Sequence, residues 1–372
     1  MKKSDILIAL MAVGMCAACT HDGETIVNMG QEVVSPTNTN MPPELRLTYG
    51  AASTRAESNI QSTQFLSGEQ IDVFMRDVSG IDHYPTPLNF TTDGSGNLSQ
   101  TTDNTRYYWP RQMHNFEIYG VYPAGSVSSS TKITAGDFNP FNYDTDYSFT
   151  VAADQTDVAN YKASDLMIGF PSSPAPAVGD LPCTLRQDGD EGTVNLDFKH
   201  RLTKIIVTLT PATWVAESGS IGQVTANDLA YSTGGETPDT KYARVTLCGI
   251  KRKISFKVYD ASSDLGAAEA TDDGNSTVVC LGSNNAFIVP PQTINTGTTF
   301  IKIELIDTSI EGNNKVYATF HYDLTTNLVL AAKNVYTYNI TLEKPQIAVT
   351  VNNITAWTSG GDASTGTAGL VQ

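Results

Sequence analysis

From Phe65 onward the chain is written in short stretches in which apolar and polar residues alternate, the period-two pattern of a strand with one face on a core. QIDVFM (70–75), LNFTTDGSGNLSQ (88–100), RYYWP (106–110) and NFEIYGVYP (115–123) carry it first. In the second of these, Leu88, Phe90 and Leu98 flank Asp93, Gly94, Ser95, Gly96 and Asn97, residue types that tolerate positive φ, so a hairpin turn is expected there. No helical pattern follows that glycine-rich turn, which removes the positive helix end a phosphate cradle would need. Pro110 marks a strand end or an edge, because a residue without an N–H interrupts a ladder.

Residues 125–179 are irregular in pattern, with one short helix expected around Thr156 to Met167. Alternation returns in VNLDFKHRLTKIIVTLTP (194–211), where Val194, Leu196 and Phe198 share a face and the denser run from Ile205 to Leu209 reads as a more buried strand. The domain join is expected in or beside this element. RVTLCGI (244–250), KISFKVYD (253–260), STVVCLG (276–282), NAFIVPPQ (285–292), FIKIELID (300–307), KVYATFHYDL (315–324), YTYNITLE (336–343) and IAVTVNNITAW (347–357) follow. Short strands, turns about every ten residues and almost no helix predict an all-β chain of two tandem β-sandwiches. The length agrees, since 372 residues exceed the roughly 250–300 at which one core stops growing.

The N-terminus follows another pattern. MKK precedes the apolar run ILIALMAVGM, and small residues then lead to Cys19 in CAAC (16–19), the layout of a secretory signal. The run is shorter than the ~20 residues of a membrane span. Ala17 and Ala18 before Cys19 resemble a bacterial lipobox, so residues 1–18 read as a lipoprotein signal peptide and Cys19 as the lipidated first mature residue. Cys16 fits less well, because Met15 would occupy the cleavage position; a plain signal peptide with an incidental cysteine is the other reading. Acyl chains contribute ~0.8 kcal/mol per buried CH₂, enough to hold a folded body at a membrane in transit. Residues 20–43 are polar and read as a tether. ELRLTYGAA (44–52) then puts Leu45, Leu47, Tyr49 and Ala51 on one side of an extended chain and Glu44, Arg46 and Thr48 on the other. It runs directly into AASTRAESN (51–59), small and polar residues around a single cation, Arg55.

Composition narrows the function. A net charge of −16 and a pI near 4.6 repel phosphate backbones, which argues against nucleic acid as a partner. The short basic run Lys251, Arg252, Lys253 reads as an exposed strand whose lysines discourage edge pairing. Cys183, Cys248 and Cys280 are too few and too widely spaced for a disulfide framework, and leave room for one pair. No C-x-x-C or H-x-x-x-H spacing offers a metal site, and no cofactor is implied. Catalytic groupings are weak: Ser164 beside Asp165, a solitary His200 among charged neighbours, and Asp188-Gly189-Asp190-Glu191, which lacks the spacing of a calcium loop and reads as a solvated turn. Trp109, Trp214 and Trp357 read as core or rim aromatics before a sugar platform. The chain is not expected to be an enzyme.

The ordered series of lipobox, TRA in a short pro-segment, GEQIDVFM (68–75), YYWP (107–110), FEIYGVYP (116–123), DLMIGF (165–170), VNLDFKHRLTKIIVTL (194–209), FIVPPQTI (287–294), YTYNITLE (336–343) and NNITAW (352–357) resembles the fimbrillin family of Bacteroidales fimbria subunits across nearly the whole chain. The resemblance implies two transthyretin-like β-sandwiches and passage to the outer membrane as a lipoprotein through lipid on Cys19. It also implies cleavage by an arginine-specific protease between Arg55 and Ala56, and polymerisation with other fimbrial subunits by strand exchange. On that scheme residues 1–18 are signal, 19–55 a pro-segment with a removable strand, 56–197 the N-terminal sandwich and 198–372 the C-terminal sandwich with a candidate donor strand.

The residues meet the physical requirements of that scheme. A removable strand needs one apolar face, and Leu45, Leu47 and Tyr49 supply it; a replacement strand needs the same, and Ile347, Val349 and Val351 alternate likewise. Several such side chains at ~1.5–3 kcal/mol each, with a backbone ladder, make a persistent joint. Arg46 competes as a cleavage point but lies inside the strand pattern. A subunit whose C-terminal strand stays in its own sheet would accept a neighbour without donating, and would sit at a fimbrial tip. The alternative function is a monomeric surface lipoprotein that binds a host receptor or glycan through sandwich loops.

Overall fold

The computed structural model describes residues 25–26, 44–49, 65–77, 87–100, 105–108, 115–126, 147–171, 184–186, 193–211, 225–231, 240–258, 268–271, 276–282, 285–309, 315–342, 347–356 and 365–366. These residues are dominated by strands, as the all-β reading expects, with helix confined to two short pieces. None of the described helices is long and apolar enough to cross a membrane.

The first half supplies, in chain order, β1 (Thr25–Ile26), β2 (Leu47–Tyr49), β3 (Gln70–Asp77), β4 (Leu88–Thr92), β5 (Asn97–Gln100), β6 (Thr105–Arg106), β7 (Asn115–Tyr122), β8 (Tyr147–Thr150), helix α1 (Val158–Ala163), β9 (Met167–Pro171), β10 (Thr184–Arg186) and β11 (Val194–His200). β7, β3, β4, β5, β2, β11 and β9 pair in that order, and β9 pairs back onto β7, so the sheet closes into a ring. β10 extends the remaining part of the β7 edge. The alternation read from sequence is the reason this ring has a dry interior: Leu88, Phe90, Leu98, Val194, Leu196 and Phe198 are all buried, with their sequence neighbours turned outward.

Two local signals formed as expected. The β4–β5 connection is a hairpin in which Gly94 and Gly96 hold positive φ and Asp93 accepts from the backbone N–H groups of Ser95 (2.6 Å) and Asn97 (3.0 Å). The helix α1 lies within the expected span and is capped by Asp157, whose carboxylate accepts from the Ala159 N–H at 2.9 Å.

The second half supplies β12 (Thr203–Pro211), α2 (Ala226–Leu229), β13 (Lys241–Ile250), β14 (Lys253–Phe256), β15 (Ala268–Ala270), β16 (Ser276–Leu281), β17 (Asn285–Val289), β18 (Gln292–Ile294), β19 (Thr299–Asp307), β20 (Lys315–Asp323), β21 (Leu328–Leu330), β22 (Asn334–Leu342), β23 (Ile347–Ala356) and β24 (Thr365–Gly366). Two sheets dominate, one in the order β17-β12-β22-β23-β24 and the other β16-β13-β19-β20. They meet through aromatic contacts: the Tyr338 ring of β22 lies 5.6 Å from Phe300 of β19 and 6.2 Å from Tyr322 of β20.

The halves are stitched together. β14 is the middle strand of a small sheet, with β15 on one side and β8, from the first half, on the other. This corrects the reading of Lys251 to Lys253 as an edge device: the strand they open has no free edge. Lys251 and Arg252 instead reach the carbonyl oxygens of Ala270 and Val151. Gln155, just past β8, is buried against β16 and β17: its N–H donates to the Val279 oxygen at 2.9 Å, and its carboxamide both accepts from the Ile288 N–H and donates to the Ile288 oxygen, each at 2.9 Å. A side-chain amide there takes the place of a neighbouring strand. At the end of β11 His200 is held within the first half by a fully buried contact with Asp165 at 2.7 Å, and the next residue, Arg201, reaches across to the Lys257 oxygen of the second half at 2.7 Å. β11 and β12 are separated only by Arg201 and Leu202 yet belong to different sheets, and the buried apolar residues of both halves form one continuous cluster.

Candidate functional site

The strand ELRLTYGAA gives β2 at its centre, and its position in the ring is the feature with functional content. β2 lies between β5, to which it is antiparallel, and β11, to which it is parallel. Leu47 stands opposite Leu98 on one side and Val194 on the other; Thr48 stands between Asn97 and Asn195; Tyr49 faces Leu196. Backbone bonds continue past both ends of the strand: the Leu45 N–H donates to the Tyr107 oxygen at 2.8 Å, the Val194 N–H to the Arg46 oxygen at 3.0 Å, and the Tyr49 N–H to the Gly96 oxygen at 2.8 Å.

Leu45, Leu47 and Tyr49 are buried, Arg46 is exposed, and Glu44 and Thr48 are half-buried, the two-faced pattern anticipated from sequence. The Tyr49 ring meets Phe65 edge-on at 5.3 Å, and Phe65 in turn meets Tyr122 and Phe198 at 5.0 Å each. Burial lifts the Tyr49 hydroxyl above its ordinary pKa. Thr48 is the one outward residue of β2 with a side-chain bond in the slot, its hydroxyl donating to the Asn195 carboxamide oxygen at 3.2 Å.

Take β2 away and the ring opens at one place, leaving the edges of β5 and β11 unpaired above an apolar floor. An unpaired edge beside a vacated apolar slot is a template for another extended chain.

Cys19, Arg55 and Ala56 lie outside the described residues, as do Cys183, residues 188–191, Trp109, Trp214 and Trp357. Ile347, Val349 and Val351 fall in β23, whose ladder with β22 sets them opposite Leu342, Ile340 and Tyr338. They are therefore in a different sheet from Leu45, Leu47 and Tyr49, and the structure does not bring the two sets together. The pairing runs the length of β23 with one bulge, and the short β24 adds to its far end.

The residues weighed as catalytic take up other roles. Ser164 donates through its hydroxyl to the Asn160 oxygen at 2.8 Å and accepts from the Ala152 N–H at 2.9 Å, closing α1 onto the chain before it. Asp165 holds His200 in the interior, away from solvent. Cys248 and Cys280 are free thiols, and burial raises both pKa values, that of Cys280 strongly, which suppresses thiolate chemistry. Sequence reading missed Phe65, Asn97 and Asn195 as the walls of the β2 slot. Each sits in or beside a stretch with a visible pattern, but pattern alone does not name the neighbouring strand.

A family profile described as fimbrillin-like matches residues 54–357. Among solved structures, a candidate cell adhesion protein from Bacteroides uniformis superposes with a TM-score of 0.53 at 19% identity, covering 85% of this chain and 99% of its own. A second candidate cell adhesion protein, from Bacteroides ovatus, gives a TM-score of 0.52 at 15% identity, covering 85% of this chain and 98% of its own. At these identities the likeness is one of fold. No curated protein gives a significant sequence match. With most of its length under one family profile and its strands arranged as in two solved Bacteroides proteins, the chain belongs to the fimbrillin-like family.

Proposed function

We propose that this chain is a structural subunit of a cell-surface fimbrium that accepts a neighbouring subunit by strand exchange. It is exported as a lipoprotein precursor on Cys19 and is made competent when an arginine-specific protease cuts between Arg55 and Ala56. The observation that carries the reading is the position of β2: among the described residues, the strand N-terminal to Arg55 within the ring is also the strand that completes it, so a single cut frees it to leave. The buried side chains of Leu45, Leu47 and Tyr49, at ~1.5–3 kcal/mol each, explain why the precursor is closed and why a replacement would be held as firmly. Family membership supports the fimbrial role, and the cell adhesion description of the two Bacteroides relatives supports adhesion as what the fimbrium serves.

In this scheme residues 1–18 are the signal, 19–55 the pro-segment, 56–197 the accepting body and 198–372 the second body. The ladder between β22 and β23 favours an accepting subunit at a tip over a stalk subunit, because donation of Ile347, Val349 and Val351 would require nine register pairs to part. Limited proteolysis of purified precursor with an arginine-specific protease, followed by gel analysis without boiling, tests the reading. A new N-terminus at Ala56, with heat-sensitive complexes once other subunits of the same fimbrium are added, both lost in Arg55→Ala, is the expected result. A cut protein that remains monomeric when mixed with other subunits of the same fimbrium overturns it.

A further inference from the structure

The three inward side chains of β2 and the residues leading into it, Leu45, Leu47 and Tyr49, are not equivalent. Leu45 and Leu47 are aliphatic, and Leu47 is flanked in register by the aliphatic Leu98 and Val194. Tyr49 instead ends against Phe65, the hub of an aromatic group that includes Tyr122 and Phe198. Loss of Tyr49 would leave the edge-on face of Phe65 uncovered at that position alone. Between the two, Thr48 stands in register between Asn97 and Asn195 and bonds to the carboxamide of the second. The slot therefore carries a chemical sequence, aliphatic, any, aliphatic, hydroxyl, aromatic, and not merely an apolar groove.

Ile347-Ala348-Val349-Thr350-Val351 in β23 follows this sequence for four positions and breaks it at the fifth, setting Val351 where Tyr49 stands. A valine is too short to reach the Phe65 ring, and the aromatic contact is lost along with the area it buries. We infer that the slot filled by β2 selects an extended strand from a different subunit, one with an aromatic residue at its third inward position, and discriminates against this chain's own Ile347–Val351 segment. Phe65 is the specificity-determining residue. The inference rests on the reading of β2 as an exchangeable strand and adds the identity of what replaces it.

The test uses full-length precursor cut with an arginine-specific protease and four fluorescently labelled peptides: ELRLTYGAA (residues 44–52), its Tyr49→Phe and Tyr49→Val versions, and IAVTVNNIT (residues 347–355). Anisotropy should show the first two captured alike, and the valine version and IAVTVNNIT about tenfold or more weaker. Equal capture of all four overturns the selectivity while leaving strand replacement standing. Capture of none overturns strand replacement and the inference with it. A second measurement is independent of processing: in the uncut chain, Tyr49→Phe should leave the unfolding temperature near that of the parent while Tyr49→Val lowers it by several degrees. Equal temperatures for the two variants overturn the role given to Phe65.

Discussion

Phe198 lies directly across Gly169: a Cβ on that glycine would come within 2.8 Å of three atoms of the ring. The two residues stand opposite each other in the ladder between β9 and β11, and Gly120, the partner of Gly169 in β7, lies under the same ring with a Cβ position 2.6 Å from its tip. Neither glycine has positive φ, so the requirement is space, set by one aromatic side chain. Gly169→Ala is expected to lower stability by about 1–3 kcal/mol in urea unfolding, the usual range for overpacking. Adding Phe198→Leu should recover part of that loss, giving a non-additive cycle. Additive losses would place the strain elsewhere.

Gln155 stands in for a strand beside Ile288, and its replacement isolates what that is worth. Gln155→Leu keeps the volume and removes both bonds to Ile288, leaving a buried N–H and C=O without that partner. A cost of about 2–6 kcal/mol is expected, from roughly 1–3 kcal/mol for each of the two stranded polar groups. Amide exchange at Ile288 should accelerate more than at Val207 on β12, which is buried in the same sheet; uniform acceleration would make Gln155 a packing residue only.

Asp165 and His200 tie α1 and β9 to the end of β11 without contact with water. Removing one member of a buried pair is costly, so Asp165→Ala should cost about 3–5 kcal/mol, and Asp165→Asn, which retains an acceptor, less. If the two variants unfold at the same denaturant concentration, the hydrogen bond at 2.7 Å contributes nothing of its own.

Burial pushes the pKa values of Cys280 and Tyr338 strongly upward and that of Tyr147 to about 12. Each is neutral in the folded chain at pH values where the unfolded chain, with ordinary values of 9.0 and 10.0, has begun to ionise. The unfolded state then binds fewer protons, so stability is full below about pH 9 and falls as pH rises beyond it. Urea midpoints at pH 8 and pH 11 should differ clearly, and Tyr147→Phe should reduce the difference. At the acid end the sign reverses. Partial burial would raise Glu304, yet bonds from Lys302 (2.7 Å) and Arg244 (2.8 Å) hold it below its ordinary value, so its contribution disappears as pH falls through that lowered value. Glu304→Gln should flatten the acid limb, and an unchanged limb would assign the loss to other carboxylates.

The sequence was legible wherever a physical constraint is local. Asp93 to Asn97 had to turn because those residues bond their own backbone and tolerate positive φ, and Leu45, Leu47 and Tyr49 had to share a face because a strand repeats every two residues. Alternation says which side is buried and nothing about which strand lies beside it. That is why Lys253 read as an edge although β14 is paired on both sides, and why the parallel pairing of Leu47 with Val194 could not be seen. The tie between Gln155 and Ile288 joins residues far apart in sequence, and its only local trace is one polar residue in an irregular stretch. The slot around Tyr49 was half legible: the occupant's buried face could be read, and its contact with Phe65 could not, because alternation does not name a partner.

A strand has a front and a back, and β2 is gripped by one neighbour running with it and another running against it. Any chain that took over the same register would have to lie in the same sense. The giving segment and the receiving slot are unlike parts of the chain. A one-way contact between them is heterologous, and where its rotation does not close into a ring such contacts run as open lines with non-identical ends. A fimbrium built this way would have a growing end and a sealed end determined by the pairing sense of three residues.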